Sequence, residues 1–244
     1  MPYILDLSIN WVIGLLLYIV LVSLLLMVGV LFFKRSREKK GDASDVFFFR
    51  LSLFFLIFGI SYILRIIMVF IIPPNLDSFY HELYARTNIT QNLSLLQIFI
   101  LFIGVAILSL IIETSVLKKK TKYIITLSII LIPLIIYGVS ETTELTYEQT
   151  IFLNIIPALV SIVAMAIFVG IYLYIGLKNK GILRKKSFSI AIGLTIMTIS
   201  LIFNSQAWMA AIIDKITLEI FIILVPGQLI LSVILLFYGY KELL

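Results

Sequence analysis

Long runs of apolar residues alternate with short polar clusters along the whole chain. Seven of these runs are long enough to cross a bilayer as α-helices, which takes roughly 20 apolar residues. The runs cover about residues 11–33, 46–72, 93–117, 123–139, 150–177, 187–213 and 218–240. The pattern predicts an all-α, integral membrane bundle of seven transmembrane helices that forms one domain over residues 1–244. The longest polar segment has about 20 residues, too few for a separate soluble domain.

Charged residues give this predicted bundle an orientation. Lysines and arginines follow the first, third and fifth runs, whereas most acidic residues lie at the opposite ends. Loops rich in Lys and Arg stay in the cytoplasm, so we predict that the N-terminus lies outside and the C-terminus inside the cell membrane. Because the basic clusters are next to the membrane, we interpret them as topology determinants that contact anionic lipid headgroups, and we predict no nucleic-acid partner.

Composition supports the membrane interpretation and narrows the chemistry. Hydrophobic residues make up 62% of the chain, charged residues 13%, and the mean hydropathy is +1.17. The absence of cysteine excludes disulfides and thiolate metal sites, and the single histidine, His81, excludes sites that need two protein imidazoles. We interpret His81 as a solvated loop residue. With no paired carboxylates, metal ligands or nucleophile–base set visible, we expect neither an enzyme nor a cofactor.

Polar residues inside the apolar runs are the candidates for a binding site, because each is costly in hydrocarbon and tends to face the bundle interior. Most of them lie in the predicted outer halves of the helices. We predict an outward-opening polar chamber with Arg65 as its cation and Glu219 or Asp214 as the counter-ion. The predicted ligand-binding residues are Arg65, Gln97, Asn154, Asn204, Gln206, Trp208, Glu219 and Gln228. The alternative is that these residues only hold helices together and that Arg65 snorkels outward.

Helical spacing groups several of these residues on common faces. Gly193, Ser200 and Asn204 fall on one stripe of the sixth run, and Gln228 and Ser232 share one face of the seventh. The seventh run also contains Pro226-Gly227 near its middle, which predicts either a hinge or a static kink. Glu113, near the inner end of the third run, is expected at the level of the lipid headgroups.

The end of the chain resembles a known receptor class. Pro226 lies in the last run, which ends in the aromatic and basic segment 236–244, and a basic stretch, Leu183-Arg184-Lys185-Lys186, precedes the sixth run. In these respects the last 65 or so residues are similar to the seven-helix N-terminal sensor region of prokaryotic histidine kinases. In that family a kinase domain follows the last helix, whereas this sequence ends at Leu244. A retinal protein is excluded because residues 218–240 contain no lysine for a Schiff base.

Three functions fit these patterns. The first is a sensor or receptor-like protein that binds a small molecule or lipid in its outer half and signals to a cytoplasmic or membrane protein partner. The second is a non-catalytic structural or accessory subunit of another membrane protein. The third is a small transporter or channel, which requires a continuous polar path across the bundle.

Overall fold

A computed structural model gives the structure of this chain and describes residues 9–39, 43–71, 88–118, 122–142, 147–203 and 215–241. Within these ranges two π-helical turns, Ile67–Ile71 and Ile112–Val116, continue the second and third helices. The same ranges contain no β-strand. The predicted all-α class is confirmed. The described α-helices are α1 (Ile9–Glu38), α2 (Ala43–Ile66), α3 (Asn88–Ile111), α4 (Ile124–Thr142), α5 (Tyr147–Lys178), α6 (Ile182–Phe203) and α7 (Lys215–Tyr240).

Six segments of the described helices are long and apolar enough to cross a membrane. They belong to α1, α2, α3, α5, α6 and α7. By length and composition the chain is therefore a multi-pass membrane protein. Helix α4, with 19 residues, coincides with the predicted run at 123–139.

The helices extend beyond the apolar runs that predict them. Helix α1 continues through Arg35 and Arg37 to Glu38, and α6 begins at Ile182, about five residues before the predicted start. Lysine, arginine and glutamate are good helix formers, so a helix does not stop where its apolar stretch stops. The apolar run thus measures the part suited to hydrocarbon, and the basic residues at its end are still helical.

The helices close into a ring in which each contacts its neighbours in sequence. Helix α1 packs on both α2 and α7, so the first and last helices meet, and α3 also contacts α5 across the ring. Short connections place consecutive helices antiparallel. One end of the bundle therefore holds the start of α1 and the end of α2, and the other holds the end of α1 and the start of α2.

Phenylalanines fill the contact between α1 and α2. Phe32 stacks on Phe48 and Phe55, with ring centroids 5.9 and 5.7 Å apart, and meets Phe237 of α7 edge-on at 5.6 Å. All three of Phe32, Phe48 and Phe55 are buried. Such aromatic pairs contribute about 0.5–1.5 kcal/mol each beyond the area that they bury. This cluster joins the first two helices to the last.

Candidate functional site

Arg65 lies inside the bundle near the end of α2, and only 6% of its surface is exposed. Its guanidinium is within hydrogen-bonding range of the Tyr18 hydroxyl on α1. Its Nε is also buried but has no hydrogen-bond partner among the described residues. A buried charged donor without a partner is costly. This unpaired N–H makes Arg65 the starting point of the candidate site.

Aromatic side chains from α1, α2 and the π-helical turn after α2 pack around Tyr18, the residue that Arg65 contacts. Tyr18 packs on Tyr62 and Phe70, with ring centroids 6.1 and 5.8 Å apart, and Trp11 meets Phe70 edge-on at 5.2 Å. Trp11 is 4% exposed, and its indole Nε1 is a second buried donor with no partner in the described part of the chain. We call Arg65, Trp11, Tyr18, Tyr62 and Phe70 the Arg65 cluster.

The π-helical turn after Arg65 brings Phe70 into this cluster. In a regular α-helix, at about 100° per residue, Phe70 would be rotated by about 80° from Tyr62, eight positions earlier. The i→i+5 turn at Ile67–Ile71 holds more residues per turn and reduces that offset. Both rings consequently contact Tyr18. Single π turns inside α-helices are frequent at functional sites.

No described acidic side chain is available to neutralise Arg65. The structure describes three acidic side chains, those of Glu38, Asp45 and Glu113. Asp45 is twenty residues earlier on α2, which corresponds to about 30 Å along the helix. Glu38 is the last residue of α1, at the same end of the bundle as Asp45, and Glu113 is bound to the start of α4. Within the described side chains, Arg65 is therefore a buried cation without an ionic partner.

Gln97 lies on α3, opposite a serine that is one turn before Arg65 on α2. The Ser61 hydroxyl of α2 is 3.5 Å from the backbone carbonyl oxygen of Gln97 on α3, and Gln97 is 3% exposed. Ser61 precedes Arg65 by four residues, or about 6 Å. Of the eight residues that the sequence predicts for the site, Gln97 therefore lies at the contact of α2 with α3, whereas Arg65 lies beside Tyr18 of α1.

Gln228 has a different environment, in a row of hydrogen bonds between α6 and α7. Its Oε1 is 3.1 Å from Ser200 Oγ, whose single proton is shared with the Ile196 carbonyl at 2.8 Å. Ser232 donates to the Gly193 carbonyl at 2.8 Å. The stripe of Gly193 and Ser200 and the face of Gln228 and Ser232 therefore meet. These side chains act as contacts between helices.

Pro226 interrupts the hydrogen bonding of α7 without ending the helix. A proline has no N–H, so the carbonyl of Ile222, four residues earlier, loses its helical donor. A Cβ built on Gly14 of α1 would lie 3.2 Å from this carbonyl oxygen and 2.1 Å from Ile222 Cγ2. The weakened turn of α7 therefore rests directly on the backbone of α1. A Cβ at the adjacent Gly227 would meet nothing within 4 Å.

Glu113 is a functional candidate whose environment the sequence did not predict. Its side chain is fully buried within the protein, in the π-helical turn after α3. Its carboxylate accepts hydrogen bonds from the backbone N–H groups of Ile125 and Thr126, at 3.1 and 3.2 Å, and from the Thr126 hydroxyl. It thus caps the first turn of α4, where the helix dipole favours negative charge.

The remaining predicted site residues lie outside the residues or side chains that the structure describes. Asn154 is on α5 and Glu219 on α7, but their side chains are outside the described set. Asn204, Gln206, Trp208 and Asp214, and the loop residue His81, lie outside the described residues. Sequence reasoning missed Trp11 and Tyr18. The signal that could have found them is their spacing of seven residues, which places both on one face of α1.

Comparison with protein-family models, curated proteins and solved structures finds no match for this chain. Among the described residues, no group of three or more His, Cys, Asp or Glu side chains could hold a metal ion. The Arg65 cluster combines a guanidinium, an indole N–H and aromatic rings.

Proposed function

We propose that this chain is a seven-helix membrane sensor with its N-terminus outside and its C-terminus in the cytoplasm. It binds a small molecule or lipid at the Arg65 cluster and passes a shift of α7 to a cytoplasmic or membrane protein partner. The observation that carries the proposal is the buried Arg65 Nε, which has no partner in the described part of the bundle. Ionisable groups inside membrane helices are expensive and are typically functional.

The path from the cluster to α7 is short. Trp11 of the cluster is one turn before Gly14, and Gly14 contacts Ile222, whose carbonyl is freed by Pro226. A ligand that moves Trp11 would press on this contact. The turn that it reaches lacks one backbone hydrogen bond and is therefore the part of α7 that bends most easily.

At its other end α7 contacts α1, α2 and α5, so a change in its position alters several contacts there. Arg35 donates a hydrogen bond to the Lys241 carbonyl, and Tyr240 packs on Phe47 and Tyr172 with ring centroids 6.0 Å apart in both cases. A shift of α7 would change these contacts with α1, α2 and α5. A partner protein at this end could detect that change.

The test uses the absence of cysteine, which allows labels to be added without background. Spin labels on Lys180→Cys and Lys241→Cys report the distance between the α5–α6 connection and the end of α7 in nanodiscs. A panel of charged and neutral amphiphiles is screened for thermal stabilisation, and each stabilising compound is added to the labelled chain. We expect a distance change that disappears in Pro226→Ala. A sensor is ruled out if no compound changes the distance.

The proposed orientation has a separate test. A membrane-impermeant maleimide should label Lys180→Cys in inverted vesicles and leave it unlabelled in intact cells. Labelling in intact cells would reverse the orientation and place the Arg65 cluster towards the cytoplasm.

A structural or accessory subunit is the second candidate function. The hydrogen bonds between α6 and α7, including that from Ser189 to the Leu235 carbonyl at 2.8 Å, use polar side chains only as helix contacts. If all polar residues had this role, the bundle would bind no ligand and would serve as a scaffold. Stabilisation by any compound that depends on Tyr18 or Arg65 argues against this candidate.

A further inference from the structure

We propose that the Arg65 cluster binds the negatively charged group of an amphipathic molecule. Arg65 would hold the carboxylate or phosphate, Trp11 would donate to a second acceptor atom, and the aromatic rings would contact the apolar part. This inference rests on the proposed function, because it specifies the ligand class of the same site.

The first argument is that both unpaired groups are donors. The Nε of Arg65 and the Nε1 of Trp11 each carry a hydrogen and cannot accept a hydrogen bond. Both are buried, on residues 6% and 4% exposed, and neither has a partner among the described residues. A ligand that satisfies them must therefore present acceptor atoms. A buried donor that forms no hydrogen bond costs roughly 1–3 kcal/mol.

The second argument is charge. A guanidinium keeps its proton in proteins, and burying an unpaired charge is strongly unfavourable. The Tyr18 hydroxyl, which is already within reach of Arg65, is neutral and cannot balance the charge. The described acidic side chains belong to contacts around Asp45 and Glu113, which lie near the start of α2 and the start of α4. An anion at Arg65 supplies the missing charge and can accept two parallel hydrogen bonds from the guanidinium.

The third argument concerns size and polarity. Trp11 and Tyr18 are seven residues apart on α1, which is about 10 Å along the helix. Because Tyr18 contacts Arg65, a ligand that reaches from Arg65 to Trp11 follows this part of α1, which favours a molecule longer than an inorganic ion. Between them lies Phe70, which packs on both Trp11 and Tyr18. Its apolar surface favours an acyl or aromatic segment, as found in a free amphiphile or in an anionic lipid.

An internal counter-ion is the competing explanation. The sequence places Glu219 in the first turns of α7, and its side chain lies outside the described set. A double-mutant cycle decides between the two. If Arg65 pairs with Glu219, then Arg65→Gln and Glu219→Gln are strongly coupled in stability and no anion binds to the parent chain. If the ligand supplies the charge, then the two effects add and Glu219→Gln retains binding.

The binding experiment uses Trp11 as its reporter. The sequence has two tryptophans, so in a Trp208→Phe background all tryptophan fluorescence comes from Trp11. Because Trp208 is itself a predicted site residue, thermal stabilisation by decanoate is first compared between this background and the parent chain. The full chain in phosphatidylcholine nanodiscs is titrated with decanoate, with decanol and with inorganic phosphate, and a second sample is prepared in phosphatidylglycerol nanodiscs. We expect decanoate to change the Trp11 fluorescence saturably and decanol and phosphate to bind at least tenfold more weakly. A change already present in phosphatidylglycerol identifies a lipid headgroup as the source of the anion.

Variants in the same background test the assigned residues. Arg65→Gln should weaken decanoate binding by about tenfold to a hundredfold, the range for a hydrogen bond to a charged group, and Arg65→Lys should restore part of it. Trp11→Phe, followed by thermal stabilisation instead of fluorescence, should weaken binding about two- to tenfold. Tyr18→Phe keeps the ring but removes the hydroxyl that is within reach of Arg65. It tests the same site if Arg65→Gln fails to fold, and we expect it to weaken decanoate binding about two- to tenfold.

The outcomes separate this inference from the proposed function. If decanol binds as well as decanoate, or if both Arg65→Lys and Tyr18→Phe leave decanoate affinity unchanged, the anion assignment is overturned while a sensor of neutral amphiphiles survives. If decanoate binds through Arg65 but causes no change in the spin-label distance, the ligand class stands and signalling through α7 does not. If neither anion source alters Trp11 fluorescence, the inference is wrong.

Discussion

Replacing Gly14 with alanine tests the contact that links the Arg65 cluster to α7. An added Cβ would lie 2.1 Å from Ile222 Cγ2 and 3.2 Å from the Ile222 carbonyl oxygen. Isoleucine is stiff at χ1, so its Cγ2 cannot rotate away easily, and the carbonyl belongs to the backbone. The helices must therefore separate to admit one methyl group.

Two opposing effects set the magnitude. Overpacking a close contact costs about 1–3 kcal/mol, whereas Gly to Ala in a helix gains about 0.5–1 kcal/mol. Gly170→Ala is the matched control, because a Cβ there meets nothing within 4 Å and only the gain applies. We expect Gly14→Ala to destabilise the chain by up to about 2.5 kcal/mol and the two variants to differ by the packing cost of about 1–3 kcal/mol.

Unfolding in mixed micelles by increasing SDS, followed by circular dichroism, measures these differences. The reasoning is refuted if Gly14→Ala and Gly170→Ala change the free energy of unfolding by the same amount. A second variant, Ile222→Ala, removes the opposing methyl group. Combined with Gly14→Ala it should cost less than the sum of the single changes, since contacting residues are coupled.

Two other side chains, each with a matched control, give predictions in the same unfolding assay. Glu113→Gln should lower the free energy of unfolding by about 1–3 kcal/mol. The amide has one acceptor oxygen, whereas the donors now bond to both oxygens of the carboxylate. The exposed Glu38→Gln should change stability by less than about 0.5 kcal/mol, and equal effects would contradict the capping role. Ser232→Ala should cost about 0.6–1.7 kcal/mol, the range for hydrogen bonds between membrane helices. Ser128→Ala loses only a bond to its own helix, so a loss as large as that of Ser232→Ala would argue against a special role for the contact with Gly193.

The helical fold follows from hydropathy because a bilayer leaves helices as the main way to satisfy backbone groups. Helix ends do not follow as well. Arg35 and Arg37 are polar enough to end an apolar run, but their helix propensity continues α1 to Glu38. The π turn at Ile67–Ile71 is as apolar as the α-helix before it, and the polar residues of Ile112–Val116 do not by themselves distinguish a π turn from an α turn.

The candidate site was only partly predictable for a similar reason. Arg65 is conspicuous as a charge in an apolar run, but Trp11 and Tyr18 resemble the lipid-facing aromatics of many membrane helices. Their contact with α2 depends on tertiary packing. The match between Gln228 and Ser200 was closer to prediction, since helical periodicity had already put each on a polar face of its helix. The burial of Glu113 could not be predicted, because it depends on how the start of α4 packs against the end of α3.

The cap formed by Glu113 has a consequence for how the chain enters the membrane during synthesis. Its carboxylate is satisfied by N–H groups that follow twelve and thirteen residues later. When synthesis has passed α3 but has not reached α4, the translocon therefore holds a segment whose negative charge has no hydrogen-bond donors. Lateral release into lipid becomes favourable only when the start of α4 has emerged, so this pair should insert as one hairpin. A nascent chain arrested just before Ile124 should stay at the translocon, and an arrested Glu113→Leu chain should leave it earlier.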